Sequence, residues 1–458
     1  MNIALIIYLV VLVLIAVRSA RRVKDIPDFF VARKGASAKA VAGSLVATIL
    51  GGSAVIGAVD SGVRLGGAAS WFMLTGALGL IALIPFAGRA YSHGKYALPD
   101  LVENLYGKGP RFVASIVIPV AWTGIVAAQI IAAAKLLMTF TPMEYTTAAI
   151  VSAAVFTGYT LAGGQLSILR TDFFQACLII AGLVLVAGFA LFGGATATSG
   201  AQLTAATQAA SAPPFPFHAN FTPFDLFLLI LTYGTTYTAG PDIFSRMFCA
   251  KDVATAKKAI AGAACTLIPV AFVIGFLAVY GVGLGEVQGA RITAIANAVL
   301  PPALLPLFAL ALLSVVLSSA DTTLLSSSVI ICRLFDMGNA ADRNSAKNPL
   351  AKARIVILLN GIVALLLALV FTDIIGTLLL ALAVYAGAFT VPVLWGLLGL
   401  KAKPKFVASA IVAGGALALA GKLCPPLPGS LGAHTGDFLM VAAFIVNAII
   451  LAFGREKK

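Results

Sequence analysis

The residues that could carry chemistry are gathered in one short run, SSADTTLL from Ser318 to Leu325, inside a stretch otherwise apolar enough for a membrane helix. Hydroxyls and a carboxylate without partners are costly in hydrocarbon. Such a cluster therefore faces the interior of a helix bundle and marks a pathway for an ion or a polar solute. The plainer alternative is that Ser318 and Ser319 return hydrogen bonds to carbonyls of their own helix.

Other chemistry finds little support. The five cysteines, Cys177, Cys249, Cys265, Cys332 and Cys424, are scattered, form no CxxC pair and read as small core hydrophobes. His93, His218 and His434 lie far apart in loops, so neither a metal site nor a histidine-based nucleophile relay is expected. An enzyme is not expected.

The elements that must position the cluster are membrane helices. Of the 458 residues 60% are hydrophobic and only 10% charged, with a mean hydropathy of +1.03, the composition of an integral membrane protein. A span takes about 20 mostly apolar residues. Thirteen stretches qualify, roughly 2–18, 37–62, 66–90, 112–138, 143–162, 172–194, 223–245, 258–282, 301–333, 354–372, 374–399, 405–421 and 437–454. No A-x-A-like cleavage site follows the first, which reads as a retained helix.

The net charge of +14 reflects orientation and not a nucleic-acid partner. All Lys and Arg except Arg64, Lys135, Arg291 and Lys422 fall in or beside segments on one side, among them Arg18, Arg343, Lys347 and Lys401. The positive-inside rule makes that side cytoplasmic, with the N-terminus outside and the C-terminus inside a plasma (inner) membrane. Asp60 with Arg64 and Asp242 with Arg246 are spaced i, i+4 and predict structural ion pairs, and Lys135 is expected to snorkel to the interface.

A connection at 195–222, rich in Ala, Thr, Ser and Pro and lacking Lys and Arg, divides the spans. Five spans from 37 to 194 precede it and five from 223 to 399 follow, so the second set runs in the opposite sense, as in an inverted repeat. The division is an N-terminal segment 1–36, repeats at 37–195 and 223–400, the outside connection 196–222 between them, and two peripheral helices in 401–458. The first helix of each repeat carries breakers at mid-depth, Gly51 and Gly52 in one and Gly234, Gly240 and Pro241 in the other. Paired broken helices point to a central site, although small residues also serve close helix packing.

Six segments in order resemble the sodium:solute symporter family, whose members include proline, pantothenate, sialic acid and sodium-glucose transporters. They are DFFVARKG (Asp28 to Gly35), SLVATILGGSAVIGAVDSG (Ser44 to Gly62), ALPDLVENLYG (Ala97 to Gly107), LAGGQLSILRTDFFQ (Leu161 to Gln175), GPDIFSRMFCAKD (Gly240 to Asp252) and SSADTTLL. The resemblance implies an all-α LeuT-like fold, ten core helices with discontinuous first and sixth members, and three peripheral helices. It also implies a sodium site formed by the backbone carbonyls of Ala47, Leu50 and Val315 and the hydroxyls of Ser318 and Ser319. Neutral oxygens suit so hard a cation, and Val315, Ser318 and Ser319 share one helix face. By the same resemblance Asp172, Asp321 and Thr322 form a second ion site or a release path. The alternatives are that Asp172 neutralises the nearby Arg170 and that Asp321 is a paired packing residue.

A solute pocket is expected at Gly51, Gly52, Ser53, Phe72, Tyr233, Thr235, Thr236 and Tyr237. Where sugar-carrying relatives place glutamine, glutamate and asparagine, this chain has Ala54, Met73 and Tyr233, which favours an amino acid or monocarboxylate. The expected function is sodium-coupled import of such a solute by alternating access, by a monomer in the bilayer. A solute receptor of the same fold and a proton-coupled symporter are the alternatives.

Overall fold

A computed structural model describes residues 7–456 except positions 9, 13, 16, 17, 20, 22 and 288 and the segments 193–214, 339–348 and 424–433. Part of the first expected span, most of the 195–222 connection, Arg343, Lys347 and Cys424 thus lie outside the described residues. Among those described the chain is helical, broken only by isolated bridges such as Ala36 to Ala250.

The helices used below are α1 (Ala38–Ile49), α2 (Ser53–Asp60), α3 (Gly62–Leu83), α4 (Lys108–Phe140) and α5 (Tyr145–Phe192). Then come α6 (residues 223–239), α7 (Pro241–Met247), α8 (Val253–Val282), α9 (Arg291–Val299), α10 (Leu305–Gly338), α11 (Pro349–Val370), α12 (Ile374–Leu397), α13 (Pro404–Leu423) and α14 (Thr435–Phe453). Nine described helices are long and apolar enough to cross a membrane, and α1 with α2, bent by 55°, makes a tenth span. That number differs from the expected thirteen for three reasons. The first stretch is only partly described, α6 and α7 are pieces of one broken stretch, and the stretches at 143–162 and 172–194 run together as α5. Within α5 the chain turns at Gly164, whose φ of 54° is left-handed and whose added Cβ would lie 2.7 Å from the Phe29 carbonyl oxygen. Glycine meets both demands.

Local chemistry explains the ends of these helices. Ser37 caps α1 by accepting the Ala40 N–H, and Thr222 and Asp225 form a capping box at the start of α6. Asp100, within the ALPDLVENLYG segment, accepts the N–H groups of Tyr96 and Ala97 and pairs with Arg333 near the end of α10 at 3.0 Å. That motif ties the turn before the helix Leu98–Tyr106 to the helix bearing the polar run.

Helix α10 packs against α4, α5, α1 and α7, which places SSADTTLL at the centre of the bundle. Every residue from Ser318 to Leu325 is buried. Helices α13 and α14 pack on each other and on α12, at the periphery.

Candidate functional site

The first break lies between α1 and α2. Leu50 ends α1 at φ −75° and ψ 49°, and a π-turn over Ser53–Gly57 restarts the helix. A broken helix in an apolar setting leaves backbone groups that side chains must satisfy. Gln129 of α4 does so, accepting the Gly52 N–H at 3.2 Å. Close approach enforces glycine here, since a Cβ on Gly51 would lie 2.6 Å from Ser319 Oγ.

Two serines of α10 bridge to the end of α1. Ser318 Oγ lies 2.9 Å from the Ala47 carbonyl oxygen and 3.4 Å from that of Val315, while Ser319 Oγ donates to the Thr48 carbonyl at 2.9 Å. Ser318 is also within reach of its own helix at Ser314 O, 2.8 Å away. Ser318 thus makes the own-helix bond of the plainer reading as well as a bridge to α1, whereas the Ser319 hydroxyl bonds across to α1. Ala47, Leu50, Val315, Ser318 and Ser319 are all buried.

One turn further along α10 is a cluster of buried charge. Asp172, Asp321 and Arg246 are all fully inaccessible. Arg246 Nη2 is 3.6 Å from Asp172 Oδ2, Nε donates to Ser44 Oγ at 3.2 Å and Nη1 to Ser245 Oγ at 3.0 Å, and Nη2 also reaches Thr322 Oγ1. Ser44 in turn donates to Asp172. The Thr322 hydroxyl lies 2.6 Å from the Ser318 carbonyl and 3.2 Å from Asp321 Oδ1. Asp172 Oδ1 and Asp321 Oδ2 have no hydrogen-bond partner.

The expected pairings are corrected here. Asp172 meets Arg246 from α7, whereas Arg170 reaches Ser19 at 3.3 Å. Arg246 turns to α1, α5 and α10 and leaves Asp242 without an ion pair among the described residues. Asp60 likewise accepts the backbone N–H of Arg291 at 2.7 Å, and no ion pair joins it to Arg64 among the described residues. Spacing along one helix predicts which side chains share a face, but a neighbouring helix can offer the better partner.

The second break follows α6. Gly240 is extended at ψ 138°, Pro241 begins α7, and Tyr385 of α12 donates to the freed Ala239 carbonyl at 2.5 Å. Between the two breaks lies a pocket of about 40 Å³ lined by residues that include Gly51, Ser53, Tyr233, Thr236 and Tyr237. Three expected residues do not line it. Gly52 is turned to Gln129 and Ala132, Phe72 sits behind Tyr233 with its ring centroid 6.1 Å away, and the Thr235 hydroxyl is held by Leu231 O and Thr390. Trp122, Gln129 and Asp242 also line the pocket and were not foreseen. Their signal was faint, a lone amide in an apolar run and a carboxylate that spacing assigned to an arginine. The volume is far below the roughly 300 Å³ at the small end of ligand pockets, so an organic solute requires the walls to move apart.

A larger cavity of about 650 Å³ is lined by residues that include Ile56, Asp60, Ala132, Lys135 and Ile374. It lies one helical turn beyond the pocket on three helices, from Ser53 to Ile56 on α2, Gln129 to Ala132 on α4 and Leu378 back to Ile374 on α12. A turn is about 5.4 Å, so a thin apolar layer separates the two spaces.

The sodium:solute symporter family model matches residues 29–405. The sodium/proline symporter of Haemophilus influenzae is 26% identical over 238 residues, which is 50% of this chain and 46% of that protein. The chain thus matches about half the length of that relative. Among solved structures, a Na+-coupled sialic acid symporter in a substrate-bound outward-open state is 18% identical with a TM-score of 0.79, covering 100% of this chain and 98% of that one. A manganese transporter of Eremococcus coleocola is 15% identical with a TM-score of 0.56, covering 91% and 94%. A nucleobase-cation-symport-1 family transporter in a closed conformation is 16% identical with a TM-score of 0.56, covering 93% and 94%. These likenesses show a LeuT-like fold, and the family match over most of its length places the chain in the sodium:solute symporter family.

Proposed function

We propose that this chain is a sodium-coupled secondary active symporter that imports a small organic solute by alternating access, with 37–195 and 223–400 as its two repeats. The sodium ion is cargo, held by the carbonyls of Ala47, Leu50 and Val315 and the hydroxyls of Ser318 and Ser319. The observation that carries this reading is the pair of bridges from Ser318 and Ser319 to Ala47 and Thr48. Each hydroxyl donates to a carbonyl across the seam between α1 and α10. A cation entering the seam would be met by those same oxygens once the hydroxyl protons rotate away. Binding would then tie the broken helix to α10 and favour one arrangement of the bundle over the other.

The solute would occupy the pocket between the breaks, reached from outside through the 650 Å³ cavity. Ion and solute would strengthen each other's binding by the same factor, as linkage requires. The sodium coupling named for the sialic acid and proline relatives supports the same ion. The protein would act as a monomer in the plasma (inner) membrane, N-terminus outside and C-terminus cytoplasmic.

Two buried carboxylates and one guanidinium leave one negative charge uncompensated at Asp172 and Asp321. This favours a second cation there, either a sodium ion passing through with Thr322 or a proton. Reconstituted into liposomes, the protein should take up solute under an inward sodium gradient and not under an equal potassium gradient. Uptake driven by a pH gradient without sodium would move the coupling to the two aspartates.

A further inference from the structure

The central pocket holds a carboxylate that, among the described residues, has no cation in contact with it. Asp242 follows the Gly240 and Pro241 break, is 8% exposed and lines the pocket. A Cβ on Gly240 would approach its Oδ1 to 2.9 Å. Arg246 is one turn away but is spent on Asp172, Ser44, Ser245 and Thr322. Among the described residues no Lys, Arg or His nitrogen lies within 4.0 Å of the Asp242 carboxylate. Arg246 attracts this carboxylate only from beyond ion-pair distance, and a carboxylate withdrawn from water without a counter-charge in contact is unfavourable, so this geometry favours a cation that arrives with the cargo.

The surroundings distinguish an organic cation from a metal ion. A hard cation takes several oxygen ligands, and such a set is gathered around Ser318 Oγ at the Ala47 and Val315 carbonyls, next to Ser319 of the pocket wall. Asp242 shares its pocket with rings as well as hydroxyls. Tyr233 and Tyr237 meet edge to face with centroids 5.0 Å apart, and Trp122 shares the pocket wall. Aromatic faces attract ammonium groups and tolerate their attached carbon.

We infer that Asp242 recognises the ammonium group of the transported solute, so that the pocket takes an amino acid or other organic amine in preference to a sugar or an amine-free carboxylate. This rests on the symporter reading of the pocket and deepens it. The rings of Tyr233 and Tyr237 would flank the ammonium, Asp242 would accept its N–H bonds, and the remainder of the solute would lie toward Ser53 and Gln129.

The test is thermal unfolding and calorimetric titration of the full-length protein in sodium buffer with proline, alanine, choline, propylamine, propionate and glucose. At least one ammonium-bearing probe should raise the melting temperature, and propionate and glucose should not. Asp242→Asn should weaken that probe at least tenfold while the shift produced by sodium alone remains, and Asp242→Glu should recover part of the loss. Stabilisation by propionate or glucose, or no response to any ammonium probe, overturns the inference, and the wild-type comparison needs no variant to fold. Loss of the sodium-alone shift in Asp242→Asn also overturns it, by making Asp242 an ion ligand. Failure of the wild type to respond to sodium at all would count against the symporter reading instead.

Discussion

Arg246 on α7 and Asp172 on α5 meet at 3.6 Å with both side chains fully buried, a contact made between helices whose sequence positions gave no hint of it. The guanidinium also holds Ser44 of α1 and Thr322 of α10, so four helices converge on one charge. Breaking a buried pair from one side leaves an uncompensated ion and costs about 3–5 kcal/mol. Arg246→Met should therefore lower the melting temperature sharply, and Arg246→Met with Asp172→Asn should be less destabilised than the two single effects added. A double-mutant cycle by thermal unfolding checks the coupling, and strict additivity would show that the two side chains do not support each other.

Ser318 and Ser319 make different demands on the fold and on the ion. Each hydroxyl bond to a carbonyl contributes about 1 kcal/mol to stability, so Ser318→Ala and Ser319→Ala should remain folded. If the hydroxyls ligate sodium, each variant should bind it about tenfold or more weakly, a loss of about 1.4 kcal/mol. Sodium titration of the melting temperature, with potassium as control, reads this directly. Unchanged midpoints in both variants would move the ion elsewhere.

Glycine substitutions separate close packing from mere helix content. A Cβ on Gly79 of α3 would lie 2.1 Å from the Gly234 carbonyl oxygen at the π-turn of α6, whereas one on Gly188 of α5 would meet nothing within 4 Å. Overpacking of this kind costs typically about 1–3 kcal/mol, while replacing an open helical glycine by alanine gains up to about 1 kcal/mol. Gly79→Ala should destabilise the protein and Gly188→Ala should be neutral or stabilising in the same unfolding assay.

Much of this was legible because a membrane imposes few options. Long apolar stretches marked the helices, and the polar run stranded within one of them marked the centre, so Ser318, Ser319 and Asp321 could be named before any contact was seen, while Asp172 was named through the family resemblance. The breaks at Gly51 and Gly240 were legible for the same reason, as weak points in otherwise continuous helices. Side-chain direction across the bundle was not legible. Asp242 and Arg246 looked like a pair along one helix, and only the approach of α1, α5 and α10 pulled the arginine away. Gln129 was invisible for a related cause, because its partner is a backbone N–H freed by a break on another helix. Thr235 and Thr236 show the limit most simply, being adjacent in sequence while only the second reaches the pocket.

Lys135 tests the route to the site. Its side chain is exposed and borders the 650 Å³ cavity together with Asp60, one turn beyond the pocket, while Ser53 lines the 40 Å³ pocket. In a background without the five native cysteines, Lys135→Cys should react with a bulky, membrane-impermeant maleimide applied from outside, and Ser53→Cys should be protected. Sodium or solute that changes the arrangement of the bundle should alter the Ser53→Cys rate without abolishing labelling of Lys135→Cys. Reaction of Lys135→Cys only from the cytoplasmic side would reverse the orientation assigned from the basic residues. Equal reactivity at both positions would mean that the layer formed by Ile56, Ala132 and Leu378 is open in solution.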